Sequence, residues 1–511
     1  MLVLTLNRFE DINQILSCRG TTLSTLSQQP RLHKIVNIQA VDTRFVEVQT
    51  ALIASELTRA HNASQDSLSI ATSLIDLIPP CHDLGLNLDV AIHLEAANAL
   101  WDQGEITSSI GTLQALEKEK NASLKKQDLP IGRSKLLSQI GSRVSDARLE
   151  KPDRILENYL KPALNELKGK NDGSEAGQVY HQFAAFCDQQ LQDADGLEDL
   201  ERLKKLSKMK EDEVIELTRL VTTSTHNDRT RVKGHLSKAK TWLKLDQEEL
   251  HRHVASRDEF LRQSLENYLL ALSASDEHDN SALRFTALWL EHSESQLANE
   301  AVSKHVVRVA SRKFAPLMNQ LTSRLQDSPI KFQRLLFALV LRIATDHPFH
   351  GMYQIYAGAS GKANSKDEAA VLRNSAARKL TEQLAAHHKA APIWNSISYI
   401  SKIYCALASE KDDRYKSGRK LALKESPAGM KLMSAIIKYH IPSPTMQIDL
   451  AADMDYSKLP VMARFESVMS IASGVSAPKV ATAIATNGER YKQLVWRVLD
   501  SVPVIKLTYH R

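Results

Sequence analysis

The chain has 511 residues, 43% of them hydrophobic, enough to build a sizeable core in several domains or in one extended repeat array. Its net charge of +6 is small for that length and falls well short of what a dedicated nucleic-acid binder carries. No apolar run in the sequence is long enough to span a membrane. The four cysteines (Cys18, Cys81, Cys187, Cys405) are scattered and form no CxxC pair, so reduced thiols in an intracellular protein are expected, not disulfides or a zinc site. The opening segment MLVLTLNRFEDINQIL sets acids inside its apolar pattern and has no small-residue cleavage site, which argues against a secretory signal.

Taken in order, the elements read as helices. Arg44–Arg59, Ser67–Ile78 and Leu88–Trp101 are amphipathic, with Pro79-Pro80 as a stop between the last two. Glu95–Leu116 sets an alanine-rich helix, a Gly104 turn and a second apolar-periodic helix, in the manner of one degenerate tetratricopeptide-like unit. Lys151-Pro152 opens a helix carrying Ile155, Leu156, Tyr159 and Leu160, and Gly169–Gly177 is a loop by composition. Glu198 to Leu220, dense in charges of both signs, predicts a long exposed helix hairpin continuing to about Leu250. Leu261, Leu265, Tyr268, Leu269 and Leu272 form a regular stripe, and the acidic turn Ser275–Asn280 offers caps for a helix carrying Phe285, Leu288 and Trp289. A stripe from Phe332 to Ile343 ends at His347-Pro348, and Gly358–Ala369 reads as a linker. Beyond Pro442, Met446, Ile448 and Leu450 alternate as extended chain.

The period then changes. Val480, Thr482 and Ile484 alternate, Asn487-Gly488 follows, and Tyr491, Gln493 and Val495 alternate against Lys492, Leu494 and Trp496. This pattern predicts a hairpin closed by a type I′ turn with positive φ at both central residues. Two strands alone are marginal, so the chain reads as an α-solenoid followed by an incomplete α/β piece.

Catalytic constellations are wanting. The His82–Gly85 turn reads as a helix entry, and His347 and His350 as helix-terminus residues more than metal ligands. The pairs His251/His253 and His387-His388 read as solvated, and no serine sits in a nucleophile elbow. The basic stretches Arg229–Lys244 and Arg414–Lys424 could meet phosphates, but without stacking aromatics in series a solvated face is preferred. The Asn-Gly hairpin alone has the shape of a loop that covers nucleotide phosphates.

Several blocks, among them YLLALSASDEHDNSALRFTALWLEHSES, RIATDHPFHGMYQIYA and VMSIASGVSAPKVATAIATNGERYKQL, resemble the FAT domain and kinase N-lobe entry of ATM-type phosphatidylinositol-3-kinase-like protein kinases, the fungal telomere-maintenance branch above all. The resemblance runs in one order from about Ala40 to Leu494. It implies an all-α class, an α-solenoid of TPR-like and HEAT-like helix pairs with a short C-terminal β-hairpin remnant of a kinase N-lobe. It implies TPR-like repeats over 1–125, repeats with a long charged hairpin over 126–255, HEAT-like repeats over 256–440, the N-lobe start over 441–496 and an unrelated tail over 497–511. Where the family's loop usually reads Gly-Ser-Asp-Gly, this chain has Ala485, Thr486, Asn487 and Gly488, and Trp496 stands at the position of the phosphate-contacting lysine. Thr486, Asn487 and Gly488 are thus a degenerate phosphate loop, expected to be non-functional.

The family is an ATP- and Mg-dependent Ser/Thr kinase of DNA-damage signalling and telomere maintenance in the nucleus. These 511 residues hold no catalytic base or metal-binding Asp motif, so no kinase activity, cofactor or metal site is expected of them alone. Loss of the resemblance after Val495 suggests a truncated gene model. The expected partners are the kinase domain of the full-length protein, a second copy in a homodimer and other proteins, without membrane or direct DNA binding. The competing readings are a free-standing TPR-like adaptor for protein–protein interaction and a nucleic-acid-binding helical array.

Overall fold

The structure is a computed structural model that describes residues 9–29, 31, 37–118, 127–223, 226–361, 367–410, 418–473, 478–496 and 504–506. The chain divides into two compact units, Met1–His278 and Asp279–Arg511.

The first unit is helical throughout its described residues. It opens with α1 (Phe9–Gln28), α2 (Ala40–Ala60), α3 (Ser64–Asp76) and the short α4 (Ile78–Asp83). Pro79 and Pro80 lie in the first turn of α4, where backbone N–H groups have no helical acceptor, so they end one helix and begin another. Helices α5 (Asp89–Asp102) and α6 (Ile106–Glu117) form the expected close pair around Gly104, whose φ of 90° suits glycine. Ala97 and Ala99 are fully buried there, and the Ser109 hydroxyl donates to the Ala97 carbonyl at 2.8 Å.

From α7 (Arg133–Asp146), Arg143 reaches across this pair to the Ala97 carbonyl, Ser109 Oγ and Asn98 Oδ1 at 3.2, 2.7 and 2.6 Å, and stacks over Trp101. Burial pulls its pKa down to about 10. Next come α8 (Pro152–Ile155), a π-helical turn over Leu156–Leu160 and α9 (Lys161–Glu166). Pro162 has no N–H to give, and the widened turn just before it absorbs the missing bond.

Helix α10 (Ser174–Gln192) packs on the C-terminal half of α12 (His226–Ala274), which α11 (Ala194–Thr223) accompanies at its other end. The second arm of the charged hairpin and the leucine stripe that follows it are therefore one 49-residue helix, about 73 Å long. Leu261, Leu265, Tyr268, Leu269 and Leu272 are buried, each contributing roughly 2 kcal/mol of apolar burial, and the Tyr268 hydroxyl donates to Asp188 of α10 at 3.0 Å.

The second unit begins with α13 (Ser281–Glu291) and α14 (Gln296–His305), where the fully buried Trp289 donates Nε1–H to Asn299 Oδ1 at 2.9 Å and packs edge-on against Phe332. The acidic turn supplies no side-chain cap from Asn280; Asp279 instead pairs with Lys313 at 2.9 Å. Helices α15 (Met318–Ser323), α16 (Lys331–Asp346), α17 (Pro348–Ser360), α18 (Glu368–Ala386) and α19 (Ala391–Ser409) continue the array. The centre of the expected 358–369 linker lies outside the described residues.

The sheet is larger than a hairpin. Strands β1 (Lys420–Ala422), β2 (Met462–Phe465), β3 (Val468–Ile471), β4 (Lys479–Ala485), β5 (Arg490–Trp496) and β6 (Val504–Lys506) run antiparallel in the order β1-β3-β4-β5-β6, with β2 also pairing to β4. One edge of β4 thus takes β3 and then β2, and Glu466 N–H donates to Thr482 O at the break between them. Between β1 and β2 lies α20 (Pro427–Lys438). Residues 441–461, which hold the alternating Met446, Ile448 and Leu450, form turns and loop outside the sheet. Strand β1 emerges from the basic Arg414–Lys424 stretch, whose first part lies outside the described residues. Of the tail 497–511, only β6 is described.

Candidate functional site

Strands β4 and β5 meet in the loop Thr486–Glu489, which carries the three residues singled out from the sequence. Its geometry is a type I turn followed by a glycine bulge, not type I′. Gly488 N–H donates to Ala485 O, Ala485 N–H donates to Glu489 O, both at 2.9 Å, and only Gly488 has positive φ (84°). Asn487 keeps an ordinary φ and uses its side chain to accept the Glu489 N–H at 3.1 Å, a local bond that does the work a second left-handed residue would do.

A phosphate cradle needs free N–H groups aimed at the ligand. Here Thr486 N–H donates to Val461 O at 2.9 Å, and the amides of Gly488 and Glu489 are likewise engaged within the turn. Thr486 Oγ1 accepts from Val461 N–H at 3.3 Å. The loop is exposed, and beside it stands a carboxylate that the sequence reasoning passed over. The Tyr491 hydroxyl donates to Glu489, and with Asn487 it holds that carboxyl below the usual range, so negative charge persists at the loop. Arg490, the nearest cation in sequence, is paired with Glu466. Trp496 ends β5 opposite Val504.

The base of the hairpin is pinned by polar side chains. The buried faces are Lys479, Ala481, Ala483 and Ala485 on β4 and Gln493 and Val495 on β5; Val480, Thr482 and Ile484 face the other way and are half-buried. Tyr404 of α19 donates its hydroxyl to Gln493 Oε1 at 2.5 Å, and Gln493 Nε2 donates to Ser443 Oγ at 2.9 Å. Tyr404, Gln493 and Ser443 are each at most 1% exposed, so burial drives the Tyr404 pKa up and the phenol stays a neutral donor.

Lys479 Nζ donates to the carbonyls of Ala408 and Glu410 at the end of α19, at 3.4 and 2.8 Å. A cation at a helix carboxyl end is favourable, although burial lowers its pKa against the opposing pull of Glu410. The Glu410 carboxylate accepts from Ser426 Oγ and Ala428 N–H, both at 2.7 Å, and so caps α20. The polar positions among inward-facing apolar ones, Gln493 and Lys479, are the signal that could have found this arrangement.

The two histidines at the end of α16 and start of α17 are structural. His347, 1% exposed, pairs through Nδ1 with the Tyr456 hydroxyl at 2.6 Å and through Nε2 with Ser311 at 3.2 Å; burial lowers its pKa. His350 Nε2 meets Ile448 O at 2.9 Å. Together they hold the 441–461 loop against the helices. His82 pairs with Asp89 at 2.8 Å, His251 turns back on Gln247 O, and His387 stacks on His388. Among the described residues no group of His, Cys, Asp or Glu could hold a metal ion, and no helix is long and apolar enough to cross a membrane.

No family model matches the sequence. Against curated proteins, the chain is 53% identical over 489 residues to the serine/threonine-protein kinase TEL1 of Gibberella zeae, covering 95% of this chain. Against solved structures, it superposes on the FAT and kinase domain of CtTel1 with a TM-score of 0.82, 51% identity and coverage of 96% of this chain and 33% of that one. The complete CtTel1 dimer with C2 symmetry matches equally, over 18% of its chain. Its close homologues are fungal Tel1 serine/threonine kinases, and its structural match lies in their FAT and kinase region. It spans 17% of the length of the curated TEL1 relative it matches. The Tel1 likeness covers both the helical repeats and the sheet, so the all-α repeat class with a small C-terminal sheet and the ATM-type resemblance hold together.

Proposed function

We propose that this chain serves as the FAT-region scaffold of a Tel1-type serine/threonine kinase, one that signals DNA damage and maintains telomeres in the nucleus. The observation that carries this reading is the superposition on the FAT and kinase region of CtTel1 over 96% of this chain. Its partners on this reading are the kinase domain of the longer protein and a second copy of the chain, in keeping with the two-fold CtTel1 dimer. Residues 441–496 supply the entry strands of the kinase N-lobe.

By themselves these residues transfer no phosphoryl group. Phosphoryl transfer rests on positioned charge, and the loop has already engaged the amides of Thr486, Gly488 and Glu489, with the Glu489 carboxylate beside it where a phosphate would need cations. ATP and Mg belong to the longer protein.

The test has two arms. Purified chain incubated with Mg-ATP and a Ser/Thr peptide should incorporate phosphate no faster than a heat-denatured control. Co-expressed with a separately encoded kinase region of a Tel1 relative, it should co-purify as a stoichiometric complex. A chain that stays monodisperse and ignores the kinase region sinks the scaffold reading and leaves a free-standing adaptor in its place.

A further inference from the structure

The hairpin that bears the degenerate phosphate loop is held by a single helix through two unlike polar pins. Strand β5 is pinned by Tyr404 on Gln493, and β4 by Lys479 on the closing carbonyls of that same helix, α19. The register sets Lys479 opposite Val495 and Ala481 opposite Gln493, so both pins lie at the base of the hairpin, away from the loop. From Gln493 to Gly488 is five residues along the hairpin, about 17 Å at the rise of extended chain. Inward apolar contacts on β4 come from Ala481, Ala483 and Ala485, whose methyl groups give area but little directional preference.

Directional bonds can supply what alanines cannot. Gln493 is fully buried, donates to Ser443 and accepts from Tyr404, so its amide has one orientation that satisfies both. Lys479 fixes the other strand at its first residue.

We infer that Tyr404, Gln493 and Lys479 are positioning residues: they make α19, the helix preceding the sheet, the element that sets where the phosphate loop stands. This inference rests on the scaffold reading for its functional meaning, though its geometry does not. Displacement of the helix is carried along the two strands to the loop, so α19 sets the position at which the hairpin presents it. Lys479 does not touch nucleotide in this role; it acts through the strand.

The experiment uses the 511-residue chain with hydrogen–deuterium exchange read at peptides spanning 479–496 and 391–409. Tyr404→Phe leaves the Gln493 carbonyl oxygen without its donor, and exchange at the loop should rise about tenfold, the scale of one lost buried bond. The double variant Tyr404→Phe, Gln493→Leu removes both partners and should regain most of the melting temperature. Positioning predicts that the loop amides still exchange fast in this re-stabilised double variant while the 391–409 peptide exchanges as in the parent.

A merely structural bond predicts that loop exchange returns to the parent rate with stability, and that outcome overturns the inference. Loop exchange unmoved in both variants overturns it as well. Lys479→Met gives an independent check, since it should raise exchange at β4 and the loop with the Tyr404–Gln493 bond intact; an unchanged loop there removes Lys479 from the set. None of these readouts involves nucleotide or a kinase region, so their failure is distinct from failure of co-purification, which would sink the scaffold reading alone.

Discussion

Two helices of this chain are stabilised for opposite reasons. Through its first half α12 turns Arg229, Arg231, Lys233, Lys238 and Lys240 to solvent, leaves Trp242 59% exposed, and packs with α11. Helix α19 carries one formal charge, at Lys402, buries Trp394, Ile397, Ile400, Tyr404 and Leu407, and grips a sheet at its end. The first is a helix because its residues propagate helix and its length spreads the cost of nucleation. The second is fixed by what surrounds it. A solvated helix tolerates change almost anywhere, whereas a gripping helix concentrates its stability in a few atoms.

That contrast sets a scale of effects. Tyr404→Ala removes a buried aromatic ring and orphans Gln493, and should cost about 4 kcal/mol in urea denaturation; a loss below about 1 kcal/mol would mean that α19 is held no more tightly than α12. Arg143→Ala in the first unit strips three hydrogen bonds and a Trp101 contact from a buried site and should cost about 3 kcal/mol by the same measurement.

The His181–His278 stack, rings 4.4 Å apart, gives a pH signature. Burial and the neighbouring imidazole lower the His181 pKa from 6.5 to about 4. The unfolded chain then binds the proton first, so stability should be full above about pH 6.5 and fall toward pH 4. His181→Phe should flatten that fall in pH-dependent melting; a slope identical to the parent's would assign it to other groups.

Gly488→Ala places a side chain at φ 84° in the hairpin turn and should cost about 1 kcal/mol. On α12, Trp242→Ala or Lys244→Ala should change stability by less than about 0.5 kcal/mol, because an exposed ring and an exposed 3.9 Å ion pair to Glu248 contribute little. A large loss at Trp242 would show that the outward face of α12 is covered.

Much of this was legible in the residues. The helices around Arg44–Arg59, Leu88–Trp101 and Phe332–Ile343 follow from 3.6-residue apolar spacing, which is a local property. The Asn-Gly hairpin was legible in kind but not in turn type, because Asn487 can close the turn with its side chain instead of its backbone angle. Three-residue β1 and the broken β2–β3 edge left too little pattern to read, and the continuity of α12 past Leu250 was hidden by its change from a solvated to a buried face. The histidines at 347 and 350 could be dismissed as ligands by spacing, but their bonds to Tyr456 and Ile448 connect positions about a hundred residues apart.

The sequence by itself determined the helical class, because helix follows from residue type and short-range spacing, and the likeness to ATM-type kinases, because long blocks of sequence in one order carry it. Only tertiary structure decided that Tyr404, Gln493, Ser443, Lys479 and Glu410 form one grip on the hairpin. A buried polar group must find a partner, but nothing in local sequence says which one, and that choice is made when distant segments close around it.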